Sequence, residues 1–539
     1  MLYDGTNRDR HKKMLYDRTN RDRQNTTPSV GTNKDKLITM LSECIIKGPD
    51  LNGGCCRDAD FERLCQRVSD IIQSETYGFW FAGKEDAIAQ ADSTPDQKLY
   101  PCRSESAGWD STDNLYLEGD NLTILKLLQE PYQGKIKMIY IDPPYNTGSD
   151  AFVYADDFTM DKERYEQYDS VQRKHAGWCC MMYPRLLLAE NLLTEDGMIF
   201  LSIDDHEYAN LKQICDEIFG EHNYFGTFIV NSAPNARDYG HIGKMHEYCL
   251  FYAKNSSRTK TNLLEDTKKQ FRFTDEKGGF NIHPLYNSNE AFHSKNRPNL
   301  YYPFYLYPDE PAGLDGFYRI GLEKKERSVE LYPPKSLKNG VQFVWRWGKE
   351  KAKQYLNEEI IGYQMGEGQY RIVQKMRHNK KMIRSLLTDK KYASRRGTKE
   401  AEELFGAKIF TFPKPLALLS DLCRTATDKE DVVLDFFSGS ATTAHAVMLL
   451  NAKDGGRRKF IMVQRPEQTD VCSAAYKAGY RDICEIGKER IRRAARKIRQ
   501  EEPGAAFDSG FRVYKLGEPL EQAPLDERRM GEEKKEGGA

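Results

Sequence analysis

Residues 140–148 read YIDPPYNTG, an acid, two prolines and an aromatic ring at the end of an apolar run. Consecutive prolines fix φ and remove two backbone donors, so the chain after Asp142 is stiff and its carbonyls stay open to accept hydrogen bonds. A carboxylate beside rigid acceptors suits the gripping of an amino group. A structural Pro-Pro turn is the bland alternative; an apolar strand that runs straight into this tetrapeptide, followed by NTG, argues against it. A second unusual turn is DFFSGSATT at 435–443. There Gly439 and its small neighbours let backbone approach a ligand closely, and a helix beginning near Thr442 offers free N–H groups. That suits a cofactor with a polar tail. The string is neither G-x-x-x-x-G-K-[ST] nor G-x-G-x-x-G, so a triphosphate loop and a standard dinucleotide fingerprint are both poorly supported. A glycine turn alone is as often structural as functional.

Both turns end strands in an alternating pattern. KIKMIYID is a strand ending in Asp142, and before it EGDNLTILKLLQ offers Asp120 as a helix N-cap with Leu122, Leu125 and Leu128 on one face. After it, residues 178–196 make a helix stopped at Gly197, and MIFLSID is the next strand. Far downstream, DVVLDFFSGS is a strand entering the glycine turn, TTAHAVMLLNA a helix and KFIMVQ another strand. Strand-helix-strand repeats predict an α/β fold, a mostly parallel sheet with helices on both faces and ligands at the carboxyl ends of its strands.

The 539 residues are 39% apolar and 11% aromatic, enough for two to four domains with real cores. Lys plus Arg and Asp plus Glu each number 81, so a polyanion must be met by a local basic patch. No apolar run approaches the roughly 18 residues of a membrane span, and MLYDGTNRDRHKK lacks the apolar core of a signal peptide, so a cytoplasmic address is expected. The twelve cysteines show no C-x-x-C and no zinc spacing, so reduced, mostly buried thiols and no metal are expected. MLYDGTNRDRHKK returns as MLYDRTNRDRQNT at 14–26, two polar copies that cannot bury a face; disorder is expected over 1–37. Apolar spacing in LITMLSECIIKG and FERLCQRVSDIIQ argues two short helices over 38–75.

DPPYNTG, followed far downstream by FPKPLALL and DFFSGSATT, resembles the amino-methyltransferases of DNA, specifically the adenine enzymes of the β group, in which the catalytic motif comes first and the glycine motif last. Through NLYLEGDNLTILKLL, MIFLSIDDHEYANLK, HEYCLFYAK and NAKDGGRRKFIMVQRPE the chain is similar, over roughly residues 75–515, to the modification subunits of type III restriction-modification systems. The resemblance implies a Rossmann-like S-adenosylmethionine-dependent methyltransferase sheet carrying an inserted target-recognition domain and a small helical N-terminal region. It divides the chain into a repeat-bearing terminus (1–37), a helical region (38–112), a catalytic half (113–225), the insertion (226–404), a cofactor-binding half (405–500) and a charged tail (501–539).

Carried over motif by motif, the resemblance implies that Asp142 and the Pro143 carbonyl bind the exocyclic amine of an adenine, that Pro144 stiffens the turn and that Tyr145 stacks on the base, which must be flipped out of the duplex. Asp435, Phe437, Gly439, Thr442 and Thr443 would line S-adenosylmethionine; Phe412, Pro413, Lys414 and Pro415 would open the helix over its amino-acid end; Asp120 and Asn121 would complete the pocket. Asp120 and Thr442 could instead simply cap helices. Ser202, Asp204 and Asp205 are expected near the site, although Asp205 or His206 could equally cap the next helix. From Arg371 to Lys399 there are eleven Lys or Arg against the single acid Asp389. Arg371, Lys375, Arg377, Lys380, Lys381, Arg395 and Arg396 are thus candidate phosphate contacts on double-stranded DNA, with a solvated basic face as the alternative. NRPNLYYPFYLYPDE at 296–310 reads as a packed loop, and CEIGKERIRRAARKIRQ as a basic helix packed through Ile486, Ile491 and Ile498.

Three departures stand out. Ala441 occupies the position of the motif's second glycine, where a β-carbon crowds the cofactor if φ must be positive. Gln464 ends KFIMVQ where many relatives carry an acid for the ribose hydroxyls, with Glu467 a nearby substitute. Family members also usually continue well beyond a segment like GFRVYKL, which implies altered or shortened ends. A homodimer and a restriction subunit with helicase and nuclease activity are the partners the resemblance implies. Cytosine-N4 methylation, and a DNA-binding subunit weakened in cofactor affinity by Ala441, are the alternatives.

Overall fold

The computed structural model describes residues 78–148, 158–161, 170–236, 241–266 and 269–517. The expected disorder over 1–37 and the helices over 38–75 lie outside these residues. Met1–Ala82 and Gly83–Ala539 form separate units, and the sheet and site lie within the second.

Ten strands build its central sheet: Lys98–Pro101 (β1), Leu115–Glu118 (β2), Ile136–Ile141 (β3), Leu193–Ile203 (β4), Tyr224–Val230 (β5), Glu247–Ala253 (β6), Leu386–Leu387 (β7), Val432–Asp435 (β8), Lys459–Gln464 (β9) and Arg512–Gly517 (β10). Their spatial order is β1-β10-β2-β9-β8-β3-β4-β6-β5-β7. Every neighbouring pair from β10 to β4 is parallel. β6 runs antiparallel to both its neighbours, and β1 is antiparallel to β10. The central strands are apolar almost throughout because helices cover both faces. Crossovers are made by Asn121–Tyr132 (α1), Ser170–Leu192 (α2) and Tyr208–Phe219 (α3) in the first half. Ser394–Phe405 (α4), Leu416–Ala426 (α5), Thr442–Asp454 (α6) and Ile483–Glu501 (α7) serve the second. α6 is buried on nearly every side, as a helix without a polar face must be.

Some boundaries differ from expectation. α2 starts at Ser170 and ends at Leu192, and Gly197 lies inside β4, where residues 194–197 bulge between the pairs Ile136–Leu193 and Met138–Met198. Leu192 and Leu193 are both fully buried, so no polar break separates helix from strand. β5, β6 and β7 belong to the central sheet, so the insertion begins after β6 and not at residue 226. β10, inside the segment read as a charged tail, is driven between β1 and β2, a long-range pairing that local composition does not reveal. The insertion carries a seven-stranded antiparallel sheet around Phe304, Leu306, Ile320 and Trp345. Phe304–Pro311 is one of its strands and corrects the packed-loop reading of that stretch: Phe304 and Leu306 alternate into the core. No helix among the described residues is long and apolar enough to cross a membrane.

Candidate active site

β3 and β8 are parallel neighbours, with Met138 opposite Val433 and Ile139 opposite Leu434, so Asp142 and Asp435 leave adjacent carboxyl ends. From there the chain diverges, through α2 to β4 on one side and through α6 to β9 on the other. A crevice opens where crossovers part in this way. The cavity at this point is lined by Asp120, Asn121, Asp142, Pro144, Phe412, Pro413, Lys414, Asp435, Phe437, Gly439, Thr442 and Thr443. Twelve sequence-proposed residues are therefore brought together; Pro143, Tyr145 and Pro415 are their immediate chain neighbours.

The catalytic turn is more heavily supported than two prolines require. Trp178 on α2 donates its indole N–H to the Pro144 carbonyl at 2.8 Å, so one of that carbonyl's two acceptor sites is already taken. No described residue donates to the Pro143 carbonyl. Tyr145 Oη donates to Asp142 Oδ1 at 2.9 Å. Asn146 turns the chain at φ 60° and is held by Glu207, whose Oε1 accepts from Asn146 Nδ2 at 2.5 Å. Glu207 is fully buried and also binds His175 Nδ1 at 2.7 Å and Asn210 Nδ2 at 2.6 Å. Ser202 lies beneath the site, its hydroxyl 2.9 Å from Tyr140 Oη. Asp204 is tied to His206 and Asp205 to Lys244 and Tyr248, and neither acid lines the cavity. Trp178 and Glu207 were missed because both act through contacts remote in sequence.

At the other end, Asp120 Oδ1 caps α1 by accepting from Thr123 N at 2.9 Å, and Asn121 Nδ2 donates to the Phe436 carbonyl at 2.9 Å. Arg185, which sequence reasoning passed over, donates to Asn121 Oδ1 at 2.6 Å and to Asp120 Oδ2 at 3.3 Å. Gly439 adopts φ 50°, and its N–H donates to Gln464 Oε1 at 2.7 Å. Gln464 Nε2 donates in turn to Glu467 Oε2 at 3.1 Å. Gln464 thus braces the glycine turn, while Glu467 joins it in the cavity wall. Burial pushes the Asp435 carboxyl up to about 7 against the lowering effect of hydrogen bonds from Thr443 Oγ1 at 2.5 Å and Phe437 N at 3.1 Å. Burial also pushes Glu467 up to about 7.

Ala441 adopts a left-handed conformation, φ 60° with ψ 42°. Its side chain, however, is fully buried in the cluster containing Ala444 and Val447, and it does not line the cavity. The missing glycine costs backbone strain and leaves the cavity clear.

The FPKP segment is seated on α4. A β-carbon at Gly397 would lie 2.1 Å from the Pro413 carbonyl oxygen, and Glu400 Oε2 accepts from Leu416 N at 2.8 Å at the start of α5, with Pro415 as its N-cap. Lys414 lines the cavity with its Nζ 3.0 Å from Asp142 Oδ1.

Four proposed phosphate ligands are ion-paired within the protein. Lys375 is buried and donates to Asp275 Oδ2 at 2.7 Å; Arg377 forks onto the same carboxylate at 2.6 and 2.7 Å and also meets Glu359. They brace the inserted sheet, and the Asp275 carboxyl is held well below its usual range by Arg377 and Lys375. Lys381 pairs with Asp266 and Arg396 with Glu400. Arg371 is half-buried over the Tyr286 ring, while Lys380 and Arg395 are exposed. Among the described residues no group of three His, Cys, Asp or Glu could hold a metal ion.

Residues 136–495 match the family described as DNA methylase. Over 493 residues the chain is 33% identical to the type III restriction-modification enzyme EcoPI Mod subunit of Escherichia phage P1, covering 86% of this chain and 75% of that one. It is 34% identical over 488 residues to the StyLTI Mod subunit of Salmonella typhimurium, covering 86% and 70%. With the type II methyltransferase M.KpnI of Klebsiella pneumoniae it shares 32% identity over 384 residues, covering 71% and 88%.

Proposed function

This chain belongs to the DNA methylase family, alongside type III Mod subunits, and we propose on that premise that it transfers a methyl group from S-adenosylmethionine to the exocyclic amine of an adenine flipped out of double-stranded DNA. The observation that carries the reading is the meeting of Asp142 and the glycine turn in one cavity at the carboxyl ends of β3 and β8.

The residues present fit the cofactor. Phe412 and Phe437 offer aromatic faces, Gly439 close backbone approach, and Asp120, Asp142, Asp435 and Glu467 acidic groups that suit a cationic ligand. S-adenosylmethionine, when bound, supplies an electrophilic methyl on a sulfonium. Asp142 accepts a hydrogen bond from the target amine and the Pro143 carbonyl accepts another. An adenine amine is a poor nucleophile because its lone pair is delocalised into the ring; two fixed acceptors favour a pyramidal nitrogen with its lone pair localised. As the new N–C bond forms, with the methyl–sulfur bond breaking to leave a neutral thioether, the amine would shed one proton, and the Asp142 carboxylate is placed to hold it. The rate gain comes from orientation and preorganised dipoles, with no covalent enzyme intermediate. The exposed Lys380 and Arg395 are the best placed of the basic candidates to meet phosphates. The likeness to Mod subunits of type III enzymes supports a restriction subunit as partner, and a homodimer belongs to the same proposal.

The test is incubation with mixed-sequence duplex DNA and labelled S-adenosylmethionine, digestion to nucleosides and mass spectrometry, with Asp142→Ala as control. Labelled 6-methyladenine that vanishes in the control supports the reading. Labelled 4-methylcytosine moves the substrate, and absence of label from folded protein overturns the activity.

A further inference from the structure

Lys414 ends in a closed set of acceptors. Its Nζ lies 3.0 Å from Asp142 Oδ1, 2.7 Å from Tyr145 Oη, and 3.2 and 3.3 Å from the two oxygens of Glu247. An ammonium has three protons, and here three groups take them. The Lys414 side chain is 12% exposed and that of Glu247 11%. Tyr145 Oη, which accepts from Lys414, donates a hydrogen bond to Asp142 Oδ1 at 2.9 Å. Oδ1 therefore takes the Tyr145 hydrogen bond and faces the Lys414 ammonium as its ion-pair partner, whereas no described residue donates to Oδ2.

Resting on the reading of this cavity as an amino-methyltransferase site, we infer that Lys414 is a positioning residue for methyl transfer: with Tyr145 it saturates Oδ1 of Asp142, so that Oδ2 is presented to the target amine, and Glu247 is the counter-ion that keeps Lys414 there. The carboxylate torsion is broad and two-fold, so an unpinned Asp142 would sample orientations in which neither oxygen faces the amine. Binding one oxygen from behind selects one orientation before substrate arrives, the kind of preorganisation that lowers a barrier without tightening ground-state binding. Burial opposes a charged lysine, yet the carboxylates of Asp142 and Glu247 outweigh it and raise the Lys414 pKa. Burial, helped by the neighbouring Asp142 charge, raises the Glu247 pKa overall, against the opposing pull of Lys414. The seat of the FPKP segment on Gly397 and Glu400 sets the point from which Lys414 reaches. This role differs from a contact to the cofactor's amino-acid end, and the two make opposite kinetic predictions.

The experiment compares wild type, Lys414→Met, Glu247→Gln and the double variant, measuring single-turnover methyl transfer to duplex DNA and, separately, the Kd of labelled S-adenosylmethionine. Lys414→Met is expected to slow transfer by about 10²-fold, as loss of one preorganised donor does, with Kd changed by less than about threefold. Glu247→Gln, which preserves volume, should slow transfer by roughly tenfold, and the double variant should be no slower than Lys414→Met, because both act through one contact. A Kd raised about tenfold with transfer at saturation intact would assign Lys414 to the cofactor and overturn the inference. Unchanged rates, or additive losses in the double variant, would overturn it too, and Glu247→Gln keeps the test decisive if Lys414→Met does not fold. A wild type that transfers no methyl to DNA fails the reading of the site itself; an active wild type with indifferent variants fails only the inference.

Discussion

Trp178 on α2 holds the Pro144 carbonyl through a buried hydrogen bond of 2.8 Å, so the stiff catalytic turn is fastened to a crossover helix. Trp178→Phe keeps an aromatic ring in place and strands that carbonyl without a donor. Unfolding free energy should fall by about 1–3 kcal/mol, the usual cost of an unpaired buried polar group, as read by urea denaturation. Transfer should slow while cofactor affinity holds, since Trp178 supports the turn and does not itself line the cavity.

Ala441→Gly tests whether the residue in the second-glycine position limits cofactor binding. Relief of a left-handed L-residue is worth about 1–2 kcal/mol and loss of a buried methyl costs about 0.8, with added chain entropy in the same direction, so the two nearly cancel. The expected result is a stability change below about 1 kcal/mol and a cofactor Kd within about twofold of wild type, read by thermal unfolding and equilibrium dialysis. A large gain in affinity would show that the β-carbon crowds the cofactor after all.

Asp435 should make stability fall as pH rises. Its folded pKa of about 7 lies above the ordinary carboxylate value. Between the unfolded pKa of about 3.9 and the folded one, the folded protein binds more protons than the unfolded chain. The group's contribution is therefore complete in acid and is lost as pH climbs through the folded value. Asp435→Asn cannot titrate, so the difference in Tm, variant minus wild type, should grow from about pH 5 to about pH 8. A flat difference would mean that Asp435 ionises as it does in water.

Basic residues on the insertion should separate into two classes. Lys375→Ala and Arg377→Ala each remove one partner of Asp275 and should lower stability with little effect on how DNA affinity depends on salt. Lys380→Ala and Arg395→Ala, at exposed positions, should each reduce the slope of log K against log salt by about 1 if they neutralise a phosphate. Salt titrations of duplex binding decide it.

The sequence by itself determined the chemistry-bearing turns and the class of fold. An apolar strand ending in DPPY, a glycine turn before an all-apolar helix and an N-cap at Asp120 are local signals, because strand period, proline stiffness and capping act over a few residues. Their order along the chain also carried the family resemblance. Only the tertiary structure decided that β3 and β8, some 290 residues apart in sequence, lie side by side and deliver Asp142 and Asp435 to one cavity. It decided too that β10 belongs to the sheet and that Lys375 and Arg377 face Asp275 instead of solvent. The turn of Lys414 toward Asp142 is of the same kind. Each depends on a partner distant in the chain, and neither a lysine nor a short apolar strand records in its own neighbourhood which distant group will stabilise it.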